Sequence, residues 1–347
     1  MSGAETLRLE YLTPSESPSE GWPDVLGAAA FDGGARAPPG GGTDFPLIHV
    51  HTPVLAGSRE VLEVWRAGPR ARTESHGRVR YAASGEFLFG SLAVSETEVT
   101  AEREPRARTA LAVATELAYR QMYATLAAAG EPHLVRVWNY IPEINRETHG
   151  LERYRQFNTA RHDASVSCAR AVTGSVPAAS ALGAAAASPV TIYFLASRQA
   201  PAFIENPRQV SAYRYPLEYG PRSPAFSRAT VLGEGEAATL FISGTASIVG
   251  HQTLHAGDPA AQTREALVNI QALLEQAART RRTALSLESL AYKVYVRDPL
   301  ELPLIRAELE AAMGAKTSLL YLRADICRRD LAVEIEAVGG HGSRPAR

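Results

Sequence analysis

The spacing of hydrophobic residues along the chain switches repeatedly between two periods. The segment LAYKVYVRD alternates apolar and polar positions, and its aromatic and β-branched residues favour a strand with one buried face. In the run AAQTREALVNIQALLEQAA, the apolar residues Ala266, Ile270, Leu273 and Leu274 share one stripe, which predicts an amphipathic helix. The chain is therefore expected to combine strands and helices.

The same order of elements occurs twice, so the sequence predicts an internal repeat. Each copy has the order strand, strand, helix, strand, helix and then ends with a pair of strands. The first copy contains RVRYAASGEFLFGSLAVSE, a helical run over residues 105–129, LVRVWNYI, GLERYRQFNTARHDA, VTIYFLAS and VSAYRY. The second contains RATVLGEGEAATLFISGTASIVG, the helical run quoted above, LAYKVYVRD, LPLIRAELEAAM, SLLYLRADI and LAVEIEAV. Strands that bury one face against helices predict an α+β architecture, with mixed sheets and helices packed on one face.

Breaks in these patterns predict the domain boundaries. Residues 1–55 are rich in Pro and Gly and are expected to form an extended N-terminal segment, with a flexible turn at the glycines 40–42. The two copies then occupy residues 56–218 and 219–347. The small residues ASALGAAAAS at 179–188 are expected to form a linker or a weak helix end.

Charge and composition exclude several classes of partner. Among 347 residues, 36 basic and 37 acidic side chains give a net charge of -1, so no global field attracts nucleic acid or an acidic membrane surface. The apolar stretches are shorter than the roughly 20 residues of a membrane-spanning helix, and the first residues lack a signal-peptide layout. A cytoplasmic location is therefore expected. Only two cysteines are present, without a CxxC pair, which argues against a disulfide framework or a structural metal.

Several long motifs give the chain a resemblance to known families. The segments YGPRSPAFSRA, LFISGTASI, GDPAAQTREALVNIQALLEQA and KVYVRD make residues 219–347 similar to the RidA/YjgF superfamily, which implies a chorismate-mutase-like fold. Such proteins are trimers with ligand sites between subunits, so two copies in one chain imply a site between the halves, in a monomer or a trimer. A narrower resemblance, to the chorismatase family, covers nearly the whole chain. It is carried by RVWNYIPEIN, GLERYRQFNTAR, QVSAYRYPLEYGPRSPAFSRA, FISGTASIVGHQTLHAGD and ADICRRDLAVEIEA.

The resemblance to chorismatases implies a reaction. These enzymes cleave the enolpyruvyl ether of chorismate without a cofactor and release pyruvate together with one of two ring products. One type hydrolyses chorismate to a dihydroxycyclohexadiene carboxylate, whereas the other forms 3-hydroxybenzoate for secondary metabolism without net addition of water. The second type carries a Gly in the FISG strand and a Cys in the ADxC segment, which correspond to Gly244 and Cys327. The expected product is therefore 3-hydroxybenzoate.

Chorismate is a dianion, so its site needs fixed cations, and arginine binds a carboxylate through two parallel hydrogen bonds. In GLERYRQFNTAR, the residues Tyr154, Asn158 and Arg161 are spaced i, i+4 and i+7 and share one helical face. Spacing alone favours a solvated amphipathic face. The family resemblance implies instead that Tyr154 and Arg161 bind the substrate.

The junction between the two copies is a further place for substrate-binding residues. Tyr213, Arg222 and Arg228 lie there, either in a site between the halves or in contacts that only join them. Weaker candidates in the segment WNYIPEIN are Asn139, Tyr140 and Glu143.

Cleavage of the ether requires protonation of the methylene carbon, and a buried carboxylic acid can keep its proton near neutral pH. In LAVEIEAV, Glu334 and Glu336 alternate with Val333 and Ile335, so both carboxyl groups face away from the helices. Two carboxylates on one face, without Lys or Arg between them, require that one is protonated or paired. The pattern alone fits an exposed polar face, and the resemblance assigns Glu334 as the general acid.

Two further residues shape the pocket in this interpretation. Cys327 is expected to orient the C4 hydroxyl group as a weakly hydrogen-bonding thiol rather than to attack the substrate. Gly244 is expected to leave room for the ring or to change where water sits, and a strand bulge is compatible with that role.

Three alternatives stay open: a hydrolytic chorismatase, an imine deaminase of the RidA type, and a non-catalytic module that senses a small carboxylate. The hydrolytic enzyme shares all the binding residues and differs in its ring product. The deaminase requires an arginine before the closing hairpin, where AAMGAKTSLLYL offers Lys316. The sensing module binds chorismate without turnover and without dependence on Glu334.

Overall fold

The structure is a computed structural model that describes residues 6–13, 16, 22, 24–32, 44–68, 71–101, 108–130, 132–315 and 317–340. The glycines 40–42 and Lys316 lie outside the described residues, so the turn expected at those glycines stays a prediction.

Strands and helices follow one another along the described chain in three groups. The N-terminal group is β1 (Arg8–Leu12), β2 (Val25–Phe31), β3 (Leu47–Val50) and β4 (Val61–Arg66). The first half continues with β5 (Arg72–His76), β6 (Val79–Ala83), β7 (Phe87–Val94), α1 (Glu96–Ala101), α2 (Ala110–Ala128), β8 (His133–Pro142), β9 (Glu147–Thr148), β10 (Leu151–Glu152), α3 (Arg153–Ser167), β11 (Ala178–Ala184) and β12 (Val190–Ser197). The second half has β13 (Ala202–Ile204), β14 (Ala229–Leu232), β15 (Thr239–Thr245), β16 (Ile248–Val249), β17 (Gln252–Thr253), α4 (Pro259–Arg281), β18 (Ala291–Val296), α5 (Leu302–Met313), β19 (Ser318–Arg323) and β20 (Val333–Gly339).

Each half folds into a six-stranded sheet, and the two sheets have the same strand order. The order is β11-β8-β12-β7-β6-β5 in the first half and β19-β18-β20-β15-β14-β13 in the second. In both sheets the first two strands of that order pair in parallel, and the strand that follows them pairs antiparallel. The predicted α+β repeat is therefore confirmed.

Helices cover one face of each sheet. Helices α2 and α3 pack on the first sheet, and α4 and α5 pack on the second. The stripe of Ala266, Ile270, Leu273 and Leu274 is buried against the second sheet, as its spacing predicts. Helix α4 begins after Asp258, whose side chain accepts a hydrogen bond from the backbone of its first turn. Within the described residues, no helix combines the length and apolar character needed to cross a membrane.

A third sheet, ordered β1-β4-β2-β3, contributes to the core on the side away from the helices. Trp65 of β4 lies 5.8 Å from Trp138 of the first half and 6.0 Å from Phe241 of the second, measured between ring centres. All three rings belong to one buried cluster. Three strands of this sheet lie within the segment 1–55, and the fourth lies after residue 55. Strand β13 lies before residue 219 but pairs with β14 in the second sheet, and we therefore count it with the second half. The division into residues 1–55, 56–218 and 219–347 stays a prediction.

Two local predictions for the first half are wrong. Residues 179–188 do not form a linker, because most of them belong to β11, which pairs in parallel with β8. The second half approaches this strand closely, since a Cβ placed on Gly183 lies only 2.7 Å from the Cβ of Asp325, and this explains the small side chains. The segment VSAYRY is not a strand, and residues 212–214 form one turn of 3-10 helix.

The outer edge of β11 joins the two halves through its backbone. The amide of Ala178 donates to the hydroxyl of Thr230 at 2.9 Å, and the amide of Gly183 donates to the carbonyl of Asp325 at 2.7 Å. These hydrogen bonds satisfy donors of an edge strand and hold the halves side by side. The seam that they create positions a cavity between the halves.

Candidate active site

A cavity of about 820 Å³ opens at the seam between the two halves, a size suited to a small organic ligand. The first half lines it with the β9–β10 turn, α3 and β11, and the second half with residues between 244 and 253 and between 327 and 334. Residues 209–228 of the junction complete the wall. Six of the eight residues predicted for the site line this cavity, namely Tyr154, Arg161, Arg228, Gly244, Cys327 and Glu334.

Strand β20 presents Glu334 to the cavity through simple alternation. Val333 and Ile335 are buried in the core beneath α4 and α5, so Glu334 and Glu336 point to the opposite face. Both carboxyl groups are nevertheless buried, with residue exposures of 4% for Glu334 and 3% for Glu336. The face that carries them is therefore the wall of an internal site rather than a solvated surface.

The surroundings of Glu334 favour its protonated form. Burial, reinforced by the neighbouring carboxylate of Glu336, raises the pKa of Glu334 to about 8, against the opposing influence of Arg136, Arg228 and Arg297. A carboxylic acid with this pKa still carries its proton at neutral pH. It can therefore serve as a general acid in a cavity that admits a ligand.

Gly244 lies directly against the carboxyl group of Glu334. The pairing of β15 with β20 shifts register between Ile242 and Thr245, which places a bulge at this glycine. A Cβ on Gly244 would lie 1.8 Å from Oε1 of Glu334. The glycine therefore makes room for the acid itself, and the bulge brings the backbone to that position.

Cys327 lines the cavity from the connection between β19 and β20. Burial and the nearby Glu334 raise the pKa of the Cys327 thiol to about 12, so the thiol stays protonated. It can donate a weak hydrogen bond but is a poor nucleophile. Arg297 fixes this connection by donating to the carbonyls of Leu331 at 2.8 Å and Arg328 at 2.7 Å.

Helix α3 contributes a phenol and a guanidinium group to the cavity. Burial raises the pKa of Tyr154 above its usual range, so its hydroxyl group stays neutral. Arg161 donates from Nη2 to the side-chain oxygen of Asn158 at 2.8 Å. Its Nε is buried and has no partner among the described residues. A cation held in this way has a donor available to a ligand.

Arg228 reaches the cavity from the segment that precedes β14. Its Nη2 donates to the hydroxyl of Tyr215 and to the carbonyl of Val210, both at 2.8 Å. The guanidinium group lies 5.1 Å from the ring centre of Phe226, and its Nε is buried without a partner in the described part of the chain. Arg228 thus offers a second oriented cation.

The structure does not place Tyr213 and Arg222 among the residues that line the cavity. Arg222 is exposed, and Tyr213 belongs to the single turn of 3-10 helix at residues 212–214. The prediction for Tyr213 rests on its place at the junction between the copies. A strand would put Tyr213 and Tyr215 on one face, whereas the 3-10 turn at residues 212–214 interrupts that alternation. Tyr215 lines the cavity instead.

The three weaker candidates Asn139, Tyr140 and Glu143 have structural partners and do not line the cavity. Asn139 donates to the carbonyl of Ser180 at 2.8 Å, and the hydroxyl groups of Tyr140 and Tyr295 lie 2.8 Å apart. Glu143 forms an ion pair with Arg146 at the surface.

Arg328 is a cavity residue that the sequence reasoning missed. Its guanidinium group lies 4.1 Å from the ring centre of Tyr219 and donates to the carbonyl of His251 at 2.9 Å. Its Nη2 is buried and unpartnered among the described residues. The sequence does contain a signal for this residue, because the segment ADICRRD places two arginines directly after the predicted site residue Cys327.

The cavity therefore combines fixed guanidinium groups with a protonated carboxyl group. Arg161, Arg228 and Arg328 can bind carboxylates through charge-assisted hydrogen bonds, while Glu334 supplies a proton. These features define an enzyme site for acid-catalysed chemistry on a small carboxylate.

Comparisons with known proteins agree with this class. Residues 63–196 match the family model described as chorismatase FkbO/Hyg5-like, N-terminal. The chain is 37% identical over 286 residues to a 3-hydroxybenzoate synthase of Streptomyces hygroscopicus, covering 80% of both chains. It is 35% identical over 302 residues to a chorismatase of Streptomyces rapamycinicus, covering 84% of this chain and 86% of the relative. A crystal structure of a chorismatase matches it with a TM-score of 0.84 at 32% identity, covering 97% of this chain and 98% of the other.

The chain belongs to the chorismatase family. The family indicated by the sequence motifs is thereby confirmed, and the match over nearly the full length confirms the expected fold.

Proposed function

We propose that this protein cleaves chorismate into 3-hydroxybenzoate and pyruvate in the cytoplasm, and that it supplies an aromatic acid for secondary metabolism. The observation that carries this proposal is the buried carboxyl group of Glu334, which faces a cavity lined with arginines. The name of the relative that is 37% identical, 3-hydroxybenzoate synthase, supports the product. Gly244 and Cys327 occupy the positions that mark the 3-hydroxybenzoate type.

Binding would begin with the two carboxylates of the substrate. Arg161 lies on α3 of the first half, and Arg228 lies just before β14 of the second, so the two arginines line the same cavity from opposite sides of the seam. Each has an N–H group without a protein partner in the described residues, which a carboxylate oxygen can accept. Tyr154 adds a neutral hydroxyl donor beside them.

Chemistry would begin with transfer of a proton from Glu334 to the methylene carbon of the enolpyruvyl group. The C4 hydroxyl then attacks C3 and loses its proton, and the bond between C3 and the ether oxygen breaks. The electrons of that bond form the carbonyl group of pyruvate, and the ring retains an arene oxide. The oxide opens at C4, its oxygen takes up a proton, and loss of the C3 hydrogen gives 3-hydroxybenzoate. Protons balance and no water is consumed.

Cys327 and Gly244 would decide that the hydroxyl group, rather than water, attacks C3. The neutral thiol can accept or donate a weak hydrogen bond and so orient the C4 hydroxyl group. Gly244 lets the carboxyl group of Glu334 occupy space that a larger residue would fill. The acid and the thiol therefore flank one part of the cavity.

An assay with chorismate tests the proposal directly. Purified protein is expected to release equal amounts of pyruvate and 3-hydroxybenzoate, measured by coupled reduction of pyruvate and by chromatography. In water enriched in ¹⁸O, the aromatic product is expected to contain no solvent oxygen. A dihydroxycyclohexadiene carboxylate would show the hydrolytic reaction instead, and tight binding without turnover would show a sensing module. Sedimentation would distinguish a monomer from a trimer.

A further inference from the structure

A buried ionic cluster lies behind the site, where the three sheets meet. It consists of Glu63 from β4, Arg136 from β8, Lys293 from β18 and Glu336 from β20. Nζ of Lys293 lies 2.5 Å from Glu63 and 2.7 Å from Glu336, and Arg136 lies 2.6 Å from Glu336. Two positive and two negative charges thus balance within the core.

Glu336 is the most heavily bonded member of this ionic cluster. Besides its two ion pairs, it accepts hydrogen bonds from the indole of Trp138 at 2.8 Å and from the hydroxyl of Ser180 at 2.6 Å. Burial alone would raise the pKa of Glu336, but Lys293 and Arg136 outweigh burial and hold that pKa below its usual range. Glu336 therefore carries a negative charge at neutral pH and above.

Glu336 is directly connected to the catalytic wall. It lies two residues from Glu334 on the same face of β20, which separates the two side chains by roughly 7 Å at their attachment points. The hydroxyl of Ser180 donates to Glu336 and accepts a hydrogen bond from the amide of Gly244 at 3.1 Å. Gly244 in turn lies against the carboxyl group of Glu334.

Resting on the proposed function, we propose that Glu336 is a positioning residue whose fixed negative charge keeps Glu334 protonated and so maintains the general acid. Arg136 counteracts Glu336, because its positive charge favours the ionised form of Glu334. The balance within the ionic cluster thus sets the pH range in which the enzyme works.

Among the charged groups that act on Glu334, Glu336 is the one that favours its protonated form. The other charged and titratable groups near Glu334 do not have this effect. They are Arg136 from β8, Arg228 from before β14, Arg297 from after β18, Tyr154 from α3, Tyr295 from β18 and Cys327 from the β19–β20 connection. The three guanidinium groups favour a negative carboxylate, and the phenols and the thiol are neutral. After burial, Glu336 is the strongest influence in the described structure that raises the pKa of Glu334 against the effect of those cations.

The test compares two substitutions that remove opposite charges. Since Glu334 must be protonated to act, kcat of the wild-type enzyme is expected to fall as pH rises through about 8. This fall is the basic limb of the pH profile of kcat. Glu336→Gln removes a negative charge, so the midpoint of the basic limb is expected to move to a pH lower by about one to two units. Arg136→Gln removes a positive charge, and the limb is expected to move up. Glu234→Gln, an exposed carboxylate paired with Arg281, serves as the control and is expected to leave the limb unchanged.

Direct titration of Glu334 separates this inference from the proposed reaction. The carbonyl band of the protonated Glu334 side chain can be followed in the ligand-free protein by infrared difference spectra against Glu334→Gln. That measurement needs no turnover, so it reports on Glu336 even if chorismate is not the substrate.

Opposite shifts in the two variants would support the inference. An unchanged titration in both folded variants would overturn it, and so would shifts in one common direction, since a loosened core alters solvation whichever charge is removed. If Glu336→Gln does not fold, Glu63→Gln removes the other carboxylate on Lys293. A smaller downward shift is then expected, and no shift would count against the inference.

Discussion

The two halves of the molecule share one strand order but differ on their inner faces. Tyr140 of β8 and Tyr295 of β18 hold matching positions and touch through their hydroxyl groups. In the first sheet, Thr191 is the partner of Tyr140 on the neighbouring strand, whereas in the second sheet Glu334 is the partner of Tyr295. The same position in the repeat thus carries a small hydroxyl group in one half and the acid in the other.

The two halves also differ at the next pair of inward-facing positions, two residues away on each strand. Tyr193 pairs with Trp138 in the first half, and Glu336 pairs with Lys293 in the second. At this second pair of matching positions, the first half has two stacked rings and the second half has an ion pair. Because α3 of the first half supplies Arg161, we propose that the first half contributes to substrate binding alone, whereas the second half supplies the proton as well as the binding residues Arg228 and Arg328. Three substitutions test this division.

The largest effect is expected from Glu334→Gln, which removes the acid and keeps its shape. We expect kcat to fall by ~10² or more with little change in KM, because a general acid acts in the transition state while the arginines still bind the carboxylates. Thr191→Val, at the matching position of the first half, is the control and is expected to keep kcat near that of the wild type. Steady-state kinetics with chorismate measure both, and wild-type turnover in Glu334→Gln would remove this residue from the mechanism.

A smaller effect, mainly on KM, is expected from Arg161→Met. The lost interaction is a charge-assisted hydrogen bond, so kcat/KM is expected to fall between about tenfold and a hundredfold. Arg155→Met changes the same helix at a partly exposed arginine that pairs with Glu152, and a smaller loss is expected there. If Arg161→Met lowered kcat and left KM unchanged, the assignment of Arg161 to substrate binding would be wrong.

The smallest of the three effects is expected from Gly244→Ala. The added methyl group overlaps Oε1 of Glu334, so the flexible carboxyl group has to move aside. We expect kcat to fall by about tenfold, since general acids need contact distance to the reacting atom, while the free energy of unfolding changes little. Denaturant titration and kinetics on the same preparation check this. An alanine variant as active as the wild type would show that the contact does not position the acid.

Much of the fold and part of the site were predictable from local patterns. The two-residue period of LAVEIEAV correctly separates Val333 and Ile335 from Glu334 and Glu336, and the stripe on α4 is buried as expected. The two-residue period is sufficient to assign residues to the two faces of the strand, because side chains alternate on any strand, whatever packs around it. The repeat was predictable for the same reason, because strand-like and helix-like patterns follow one another in the same order in both copies.

Residues whose placement depends on distant partners were not predictable in this way. Ala178–Ala184 is a strand because it pairs in parallel with β8 and the second half bonds its outer edge, although its small residues have little intrinsic preference for strands. The turn at residues 212–214 brought Tyr215 rather than Tyr213 to the cavity. Local sequence contains no information about which chain segments approach from elsewhere in the fold.

The sequence by itself determined that two carboxyl groups share one face of β20 and that one of them has to be protonated or paired. Only the tertiary structure decided which one, since Lys293 and Arg136 come to Glu336 from two other strands while Glu334 faces the cavity. The physical reason is that alternation is a property of one strand, whereas the energy of a buried charge depends on every charge that folding brings near it.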